Sequence, residues 1–125
     1  MNTDQIKDIL QAYFNASYTH DGDKMLEIFH DAAHIFGLEE NGTLSDKNKY
    51  EFAARVSGHR TESPSIEFPR YEEILSIDFT GDNTAVARVK LRVMNTIFTD
   101  ILSFARIEGK WGILCKILSG VPVED

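Results

Sequence analysis

The sequence has little cysteine and no long apolar run, and each shortage excludes a class of protein. Its single cysteine, Cys115, cannot form an internal disulfide, which is typical of proteins of the reducing cytoplasm. No apolar run approaches the ~20 residues that a membrane helix requires. The first residues also lack the basic and apolar segments of a signal peptide. We therefore expect a cytoplasmic protein that does not span a membrane.

Basic side chains are also scarce. The chain has 13 Lys and Arg against 20 Asp and Glu, a net charge of −7. This balance argues against nucleic acid or an anionic membrane surface as a partner. With 125 residues, 42% hydrophobic and 26% charged, the composition predicts one globular domain that spans residues 1–125.

Motifs for phosphates, dinucleotides and metals are missing. The glycines are too scattered for a phosphate-binding loop. His30 and His34 are four residues apart, but His34 falls in a predicted strand and no carboxylate or thiol stands at ligand spacing beside them. We therefore expect neither a metal site nor a cofactor.

The first half of the chain predicts helices around one short strand. Residues 3–19 have apolar side chains at helical spacing. Asp23 is the expected N-cap of a short second helix, and residues 33–38 form a strand. A third helix is expected from Ser45 to Val56, with Gly58 after its end. The two prolines in residues 59–69 indicate a long loop.

The second half predicts two β-hairpins. Residues 71–79 and 85–93 form the first, and residues 98–107 and 110–118 form the second around the pair Glu108-Gly109. Helices that precede a run of antiparallel strands are typical of an α+β fold. In such a fold the helices pack on one face of a curved sheet.

The last hairpin places a carboxylate on its apolar face. A two-residue turn sets Ile107 opposite Lys110, so that Phe104, Leu102 and Cys115 share the core face with Asp100. A carboxylate in that position must be paired, hydrogen-bonded or protonated. It lies either in a pocket wall or near the strand end, where water or a structural partner reaches it. In a pocket without a cation, replacing Asp100 by Asn would not destabilise the protein.

Several stretches resemble a known superfamily. Gly22-Asp23, Phe29-His30 and Phe36-Gly37 resemble the start of nuclear-transport-factor-2-like (SnoaL-like) domains. Residues 76–82 with 85–89 resemble their central hairpin, and residues 98–103 with 109–111 look most like the subgroup called putative lumazine-binding proteins. The resemblance implies a cone-shaped fold with three N-terminal helices on a strongly curved antiparallel sheet, a pocket at its open end, and a homodimer. Leu118 and Ser119 depart from the subgroup, in which we expect a bulky aromatic residue and then a histidine.

The expected pocket lies inside the cone. Its walls would be Phe36, Leu102, Phe104 and Cys115, and its polar groups Tyr13, His34 and Asp100. Each has an ordinary alternative: Tyr13 as a core residue with its hydroxyl at the rim, His34 as a histidine bonded at a helix–strand junction, Cys115 as a small apolar residue. Only Arg106 adds a basic group to this face, so a phosphorylated ligand is disfavoured. The expected ligand is small, flat and largely apolar, with one polar edge.

Two functions fit such a pocket. The first is a small-molecule-binding domain, and the second is an isomerase or dehydratase that uses His, Tyr or Asp for acid–base chemistry on a small carbonyl compound. The sequence assigns no catalytic residue. A third possibility is an interaction module that uses the basic stripe of Arg88, Lys90 and Arg92 on the outer face.

We also expect a homodimer through the sheet. The second face of the last hairpin carries Ile101, Leu114 and Leu118 together with Lys116 and Ser103. A half-apolar sheet face is usually covered, most often by a two-fold partner.

Overall fold

The computed structural model describes residues 2–39, 41–62 and 68–123. Their elements, in chain order, are α1 (Asn2–Thr19), α2 (Gly22–Ile28), β1 (Phe29–Leu38), β2 (Leu44–Asn48), α3 (Lys49–Glu62), β3 (Glu72–Phe79), β4 (Thr84–Val93), β5 (Thr96–Ile107) and β6 (Lys110–Pro122). The strands form one sheet in the order β2-β1-β6-β5-β4-β3. The predicted α+β class is therefore confirmed. Among the described residues, no helix is both long and apolar enough to cross a membrane.

The first two helices form close to where the sequence predicts them. One side of α1 is buried, including Ile6, Leu10 and Tyr13. The N-cap of α2 is Asp21 rather than the expected Asp23, and its side chain accepts a hydrogen bond from the backbone N–H of Lys24 at 3.1 Å. The next position, Gly22, needs its missing side chain because a Cβ there would lie 2.4 Å from the Ala53 carbonyl oxygen.

The third helix begins later and ends later than predicted. Ser45 does not cap it but lies in β2, a strand that the sequence analysis missed. The cap is Asn48, whose side chain accepts from the Glu51 N–H at 2.9 Å, while the Glu51 carboxylate accepts from the Asn48 N–H at 3.0 Å. The helix continues past Gly58 to Glu62. Residues 63–67 of the expected loop lie outside the described residues.

The last hairpin has the predicted turn but a different register. Glu108 and Gly109 have φ values of 52° and 80°, as a two-residue type I′ turn requires. Phe104 pairs with Ile113 as predicted, and the register then shifts because Leu114 is an extra residue in β6. Beyond this bulge the predicted register is wrong by one residue. Since neighbouring side chains alternate between faces, Lys116 is buried and Cys115 moves to the outer face.

The predicted orientation of β1 is also wrong. The buried residues are Ala33, Ile35 and Gly37, whereas His34 is exposed and Phe36 is half-buried on the outer face. The reason is the pairing of β1 with β6, which is parallel and sets His34 beside Cys115. The small side chains at positions 33 and 37 leave space on the inner face of the sheet.

Candidate functional site

A cavity of about 360 Å³ lies between the helices and the inner face of the sheet. Helices α1 and α3 supply one side of it, and strands β1, β2, β4, β5 and β6 supply the other. Its volume is in the range of small-molecule sites. Eight of its 19 lining residues are apolar: Ile35, Phe52, Val56, Leu91, Val93, Met94, Phe98 and Leu118.

Five buried polar side chains line this cavity: Tyr13, Ser17, His20, Asp100 and Lys116. Three of them, Tyr13, Asp100 and Lys116, contact one another. The Tyr13 hydroxyl donates a hydrogen bond to Oδ2 of Asp100 at 2.5 Å. The Lys116 Nζ lies 3.9 Å from the same oxygen, an ion-pair distance that is too long for a hydrogen bond. Within the described residues, Oδ1 of Asp100 has no hydrogen-bond partner. A buried carboxylate oxygen without a donor is costly, so this atom is available to a ligand.

The amine of Lys116 lies over two aromatic rings. Its Nζ is 4.3 Å from the centroid of the Phe52 ring and 4.9 Å from that of the Tyr13 ring. Such contacts favour the charged amine moderately. No atom in the described part of the chain accepts a hydrogen bond from Nζ. The amine thus has an electrostatic partner in Asp100 but retains its capacity to donate hydrogen bonds.

Burial determines the protonation behaviour of this group. Loss of hydration raises the pKa of Asp100, and the opposing effects of Lys116 and of the Tyr13 hydroxyl only offset part of this rise. Burial lowers the pKa of Lys116, with the Asp100 charge acting in the opposite direction. The pKa of Tyr13 lies well above its usual value, because of burial first and then the neighbouring carboxylate. The shifts of Asp100 and Lys116 both favour the pair in which the amine and the carboxyl are neutral.

Charged side chains also line the cavity closer to solvent. Glu39 and Arg55 are exposed, and Lys47 donates a hydrogen bond from Nζ to Oγ of Ser45 at 2.7 Å. The expectation that only Arg106 adds a basic group is therefore wrong. Arg106 lies outside this cavity, where it packs over the Trp111 ring, whereas Lys47, Arg55 and Lys116 line it. Anionic ligands are thus not disfavoured by the charges of the site.

The structure places the residues expected in the pocket in three locations. Tyr13 and Asp100 line the cavity. Leu102 and Phe104 are buried in the core but are not part of the cavity lining. The other three lie on the outer face: His34, Phe36 and Cys115.

The outer-face residues have their own contacts. His34 Nδ1 is 2.8 Å from Oδ1 of Asp46, and its ring stacks on Phe36 with centroids 5.9 Å apart. Cys115 is half-buried, and loss of hydration raises the pKa of its thiol. None of the three lines the cavity, because the strand orientation and the bulge turn them away from the helices.

Sequence reasoning missed Lys116, Phe98 and Leu118 as cavity residues. The signal for Lys116 was present: it is the one charged residue in the run from Ile113 to Leu118. A lysine within such a run has either to face solvent or to find a buried partner. In the described residues there is no cluster of three or more His, Cys, Asp or Glu side chains that could hold a metal ion.

Comparison with known families and structures shows which family this chain belongs to. The profile of the family described as "Putative lumazine-binding" matches residues 1–119. The chain belongs to this family. No curated protein matches it.

Solved structures with the same fold extend over almost the whole chain. An NTF2-like protein of unknown function from Shewanella baltica OS155 is 25% identical, with a TM-score of 0.84 over 97% of this chain and 94% of that one. One from Silicibacter pomeroyi DSS-3 is 22% identical, with a TM-score of 0.82 over 96% of each chain. One from Methylobacillus flagellatus KT is 27% identical, with a TM-score of 0.79 over 96% and 92%. The predicted nuclear-transport-factor-2-like fold is confirmed.

Proposed function

We propose that this family member binds a small molecule in the cavity and holds its polar edge between Asp100 and Lys116. The observation that carries the proposal is the unpartnered Oδ1 of Asp100, buried beside an amine that can still donate hydrogen bonds. The Asp100 oxygen accepts hydrogen bonds, and the Lys116 amine donates them. A ligand that presents a donor next to an acceptor would satisfy both.

The side chains of the cavity wall indicate the chemical character of the rest of the ligand. Aliphatic and aromatic side chains surround the polar pair, so a flat apolar body gains dispersion and stacking contacts. Fused oxo-heterocycles combine such a body with neighbouring N–H and C=O groups on one edge. Lumazine, after which the family is named, is one compound of this kind, and the geometry supports the whole class equally.

A thermal-shift screen tests this proposal. The compounds are lumazine, related oxo-heterocycles, aromatic carbonyl compounds and sugar phosphates. A ligand at about 100 times its Kd adds about 2.7 kcal/mol to stability, enough to raise Tm by several degrees in a domain of this size. We expect oxo-heterocycles to raise Tm and the increase to be lost in Asp100→Asn.

The matched control is Asp46→Asn, which changes an exposed carboxylate on the other face of the sheet. It should leave the ligand-induced increase unchanged. A screen in which only sugar phosphates stabilise the protein, or in which Asp100→Asn retains the full increase, would contradict the proposed contact.

A second candidate function is isomerase or dehydratase chemistry on a small carbonyl compound. The buried Asp100 carboxyl favours it, since its raised pKa brings it closer to that of a useful general acid or base. The test is exchange of the α-hydrogen of an aromatic ketone for deuterium. Exchange that disappears in Asp100→Asn would support an enzyme. Binding without exchange would support the binding function and not the enzyme.

A further inference from the structure

We propose that Lys116 is a nucleophile that condenses reversibly with an aldehyde or ketone bound in the cavity, forming an imine. This inference rests on the proposed small-molecule site and narrows its ligands to carbonyl compounds. The amine lines the cavity, and it has no hydrogen-bond acceptor among the described residues. A lysine largely removed from water in a partly apolar cavity has the environment of imine-forming lysines.

The neighbouring carboxyl group can carry the protons of the reaction. The reaction starts from the fraction of molecules in which the pair of Lys116 and Asp100 is neutral, so that the amine has an electron lone pair and Asp100 holds the proton. The lone pair of Nζ attacks the carbonyl carbon and forms a C–N bond, while the carbonyl oxygen takes the Asp100 proton. The nitrogen then returns a proton to the carboxylate, the hydroxyl takes that proton and leaves as water, and a C=N bond forms as an iminium. The carboxylate takes the remaining N–H proton, which gives the neutral imine and restores the protonated Asp100. Aldehyde and amine give imine and water, and no oxidant or reductant is consumed.

Asp100 is placed for this role by its own contacts. The Tyr13 hydroxyl holds Oδ2, so the orientation of the carboxyl group is fixed. Oδ1 has no partner among the described residues and is free to take and release a proton. Burial favours the neutral amine over the charged one at this position.

The other buried lysine of the chain supplies an internal control. Lys49 is also buried, but its Nζ donates to the carbonyl oxygens of Leu26 and Phe29 and to Oδ1 of Asp31, at 3.0, 3.2 and 2.7 Å. Three acceptors match the three protons of a charged amine. The Lys49 amine is therefore fully engaged by these acceptors and is not available to a carbonyl carbon.

Reductive trapping tests the inference. The full chain is incubated at neutral pH with benzaldehyde, or with the smaller propionaldehyde, together with sodium cyanoborohydride. Peptide mapping then locates the alkylated lysines. We expect Lys116 to be labelled several times faster than any exposed lysine, because burial lowers the pKa of its amine and so raises the fraction of free amine. Lys49 should stay unlabelled, and Lys116→Met should lose only the fast label.

Either of two results would overturn the inference. One is labelling of Lys116 no faster than the exposed lysines with both aldehydes. The other is a fast label that persists in Lys116→Met. Failure of the trapping experiment is distinguishable from failure of the binding function. If a heterocycle still raises Tm in a way that depends on Asp100, the binding function stands and only the imine is ruled out.

Discussion

Asp100 on β5 and Lys116 on β6 are buried side by side, with Nζ 3.9 Å from Oδ2, because one extra residue in β6 turns Lys116 towards the helices. Without the bulge at Leu114, the lysine would face outwards and Asp100 would be a buried carboxylate without a cation. The bulge thus creates the polar pair of the cavity.

A double-mutant cycle measures this relationship. Asp100→Asn leaves the buried amine without its counter-charge, and Lys116→Met leaves the carboxylate without its own. Removing one member of a buried pair typically costs about 3–5 kcal/mol, whereas replacing both is often close to neutral. We expect each single variant to lower the free energy of unfolding in urea and the double variant to recover most of the loss. Additive losses would show that the two groups do not interact.

The presence of Lys116 reverses the expectation drawn from the sequence for Asp100→Asn. In a pocket without a cation, that substitution would not destabilise the protein. With a cation at 3.9 Å, it removes one member of an ion pair. A stable Asp100→Asn variant at neutral pH would therefore mean that the amine is already neutral in the folded protein.

The pH dependence of stability follows from the two pKa shifts. Asp100 has a raised pKa in the folded protein, so its contribution to stability falls as pH rises above its unfolded value near ~3.9. Lys116 has a lowered pKa, so its contribution increases as pH approaches its unfolded value near ~10.4. The wild type should therefore be least stable, relative to the double variant, at pH values between these two. Urea unfolding of the wild type and the double variant across this pH range checks the prediction. A difference in the free energy of unfolding that does not change with pH would contradict both pKa shifts.

Tyr13→Phe tests the hydrogen bond of 2.5 Å from the Tyr13 hydroxyl to Oδ2 of Asp100. Among the described residues, the change removes the only hydrogen-bond donor to Asp100 and leaves both carboxylate oxygens buried without one, so we expect a loss of about 1–3 kcal/mol in urea unfolding. The matched control is Tyr50→Phe, which removes a hydroxyl from a side chain that is 59% exposed. The control should stay within about 0.5 kcal/mol of the wild type. Equal effects of the two substitutions would show that the bond contributes nothing.

The sequence predicts local structure well and the site only partly. The helical spacing of α1 and the pair Glu108-Gly109 act within a few residues, and both elements form as predicted. The bulge at Leu114 could not be predicted because β6 lies between β1 and β5 and pairs with both. Its register is therefore decided by long-range packing rather than by the turn alone.

The orientation of β1 was mispredicted for a related reason. From the sequence, the face of β1 that carries the larger apolar residues, Phe36 and Leu38, was expected to point inward. In the structure the inward face carries Ala33, Ile35 and Gly37, while Leu38 is 63% exposed. Two of these three inward residues, Ala33 and Gly37, are small and leave room for the cavity, while the larger Phe36 and Leu38 face outwards.

We propose that the outer face of the sheet pairs with a second copy of the chain. Ile101 and Ile117 are cross-strand neighbours in the central strands, and each is 41% exposed. Phe36 on β1 pairs with Ile117 and extends this apolar patch on one side. On the other side Arg88 of β4 pairs with Ile101, and Val86 lies diagonally beyond it, opposite Ser103. Leu118 and Lys116 do not belong to it, which corrects the patch predicted from the sequence. A central apolar patch fits a two-fold partner, the commonest homo-oligomer.

Ile101→Lys with sedimentation velocity tests the dimer. The substitution places a charge in the centre of the patch, so a dimer of the wild type should dissociate to one-chain particles. The control is Ile74→Lys. Ile74 is 39% exposed but lies opposite Val89 of β4, whose buried side chain faces the core. The control should remain a dimer, and a wild type that sediments as a monomer at micromolar concentration would rule out the interface.

The most direct test of the ligand site is a crystal structure with the compound that raises Tm most. We predict electron density for that compound inside the cavity. Its polar edge should lie within about 3 Å of Oδ1 of Asp100, and its acceptor or carbonyl carbon should be next to Nζ of Lys116. Density for the compound on the outer face of the sheet, with the cavity containing only water, would contradict the proposed site.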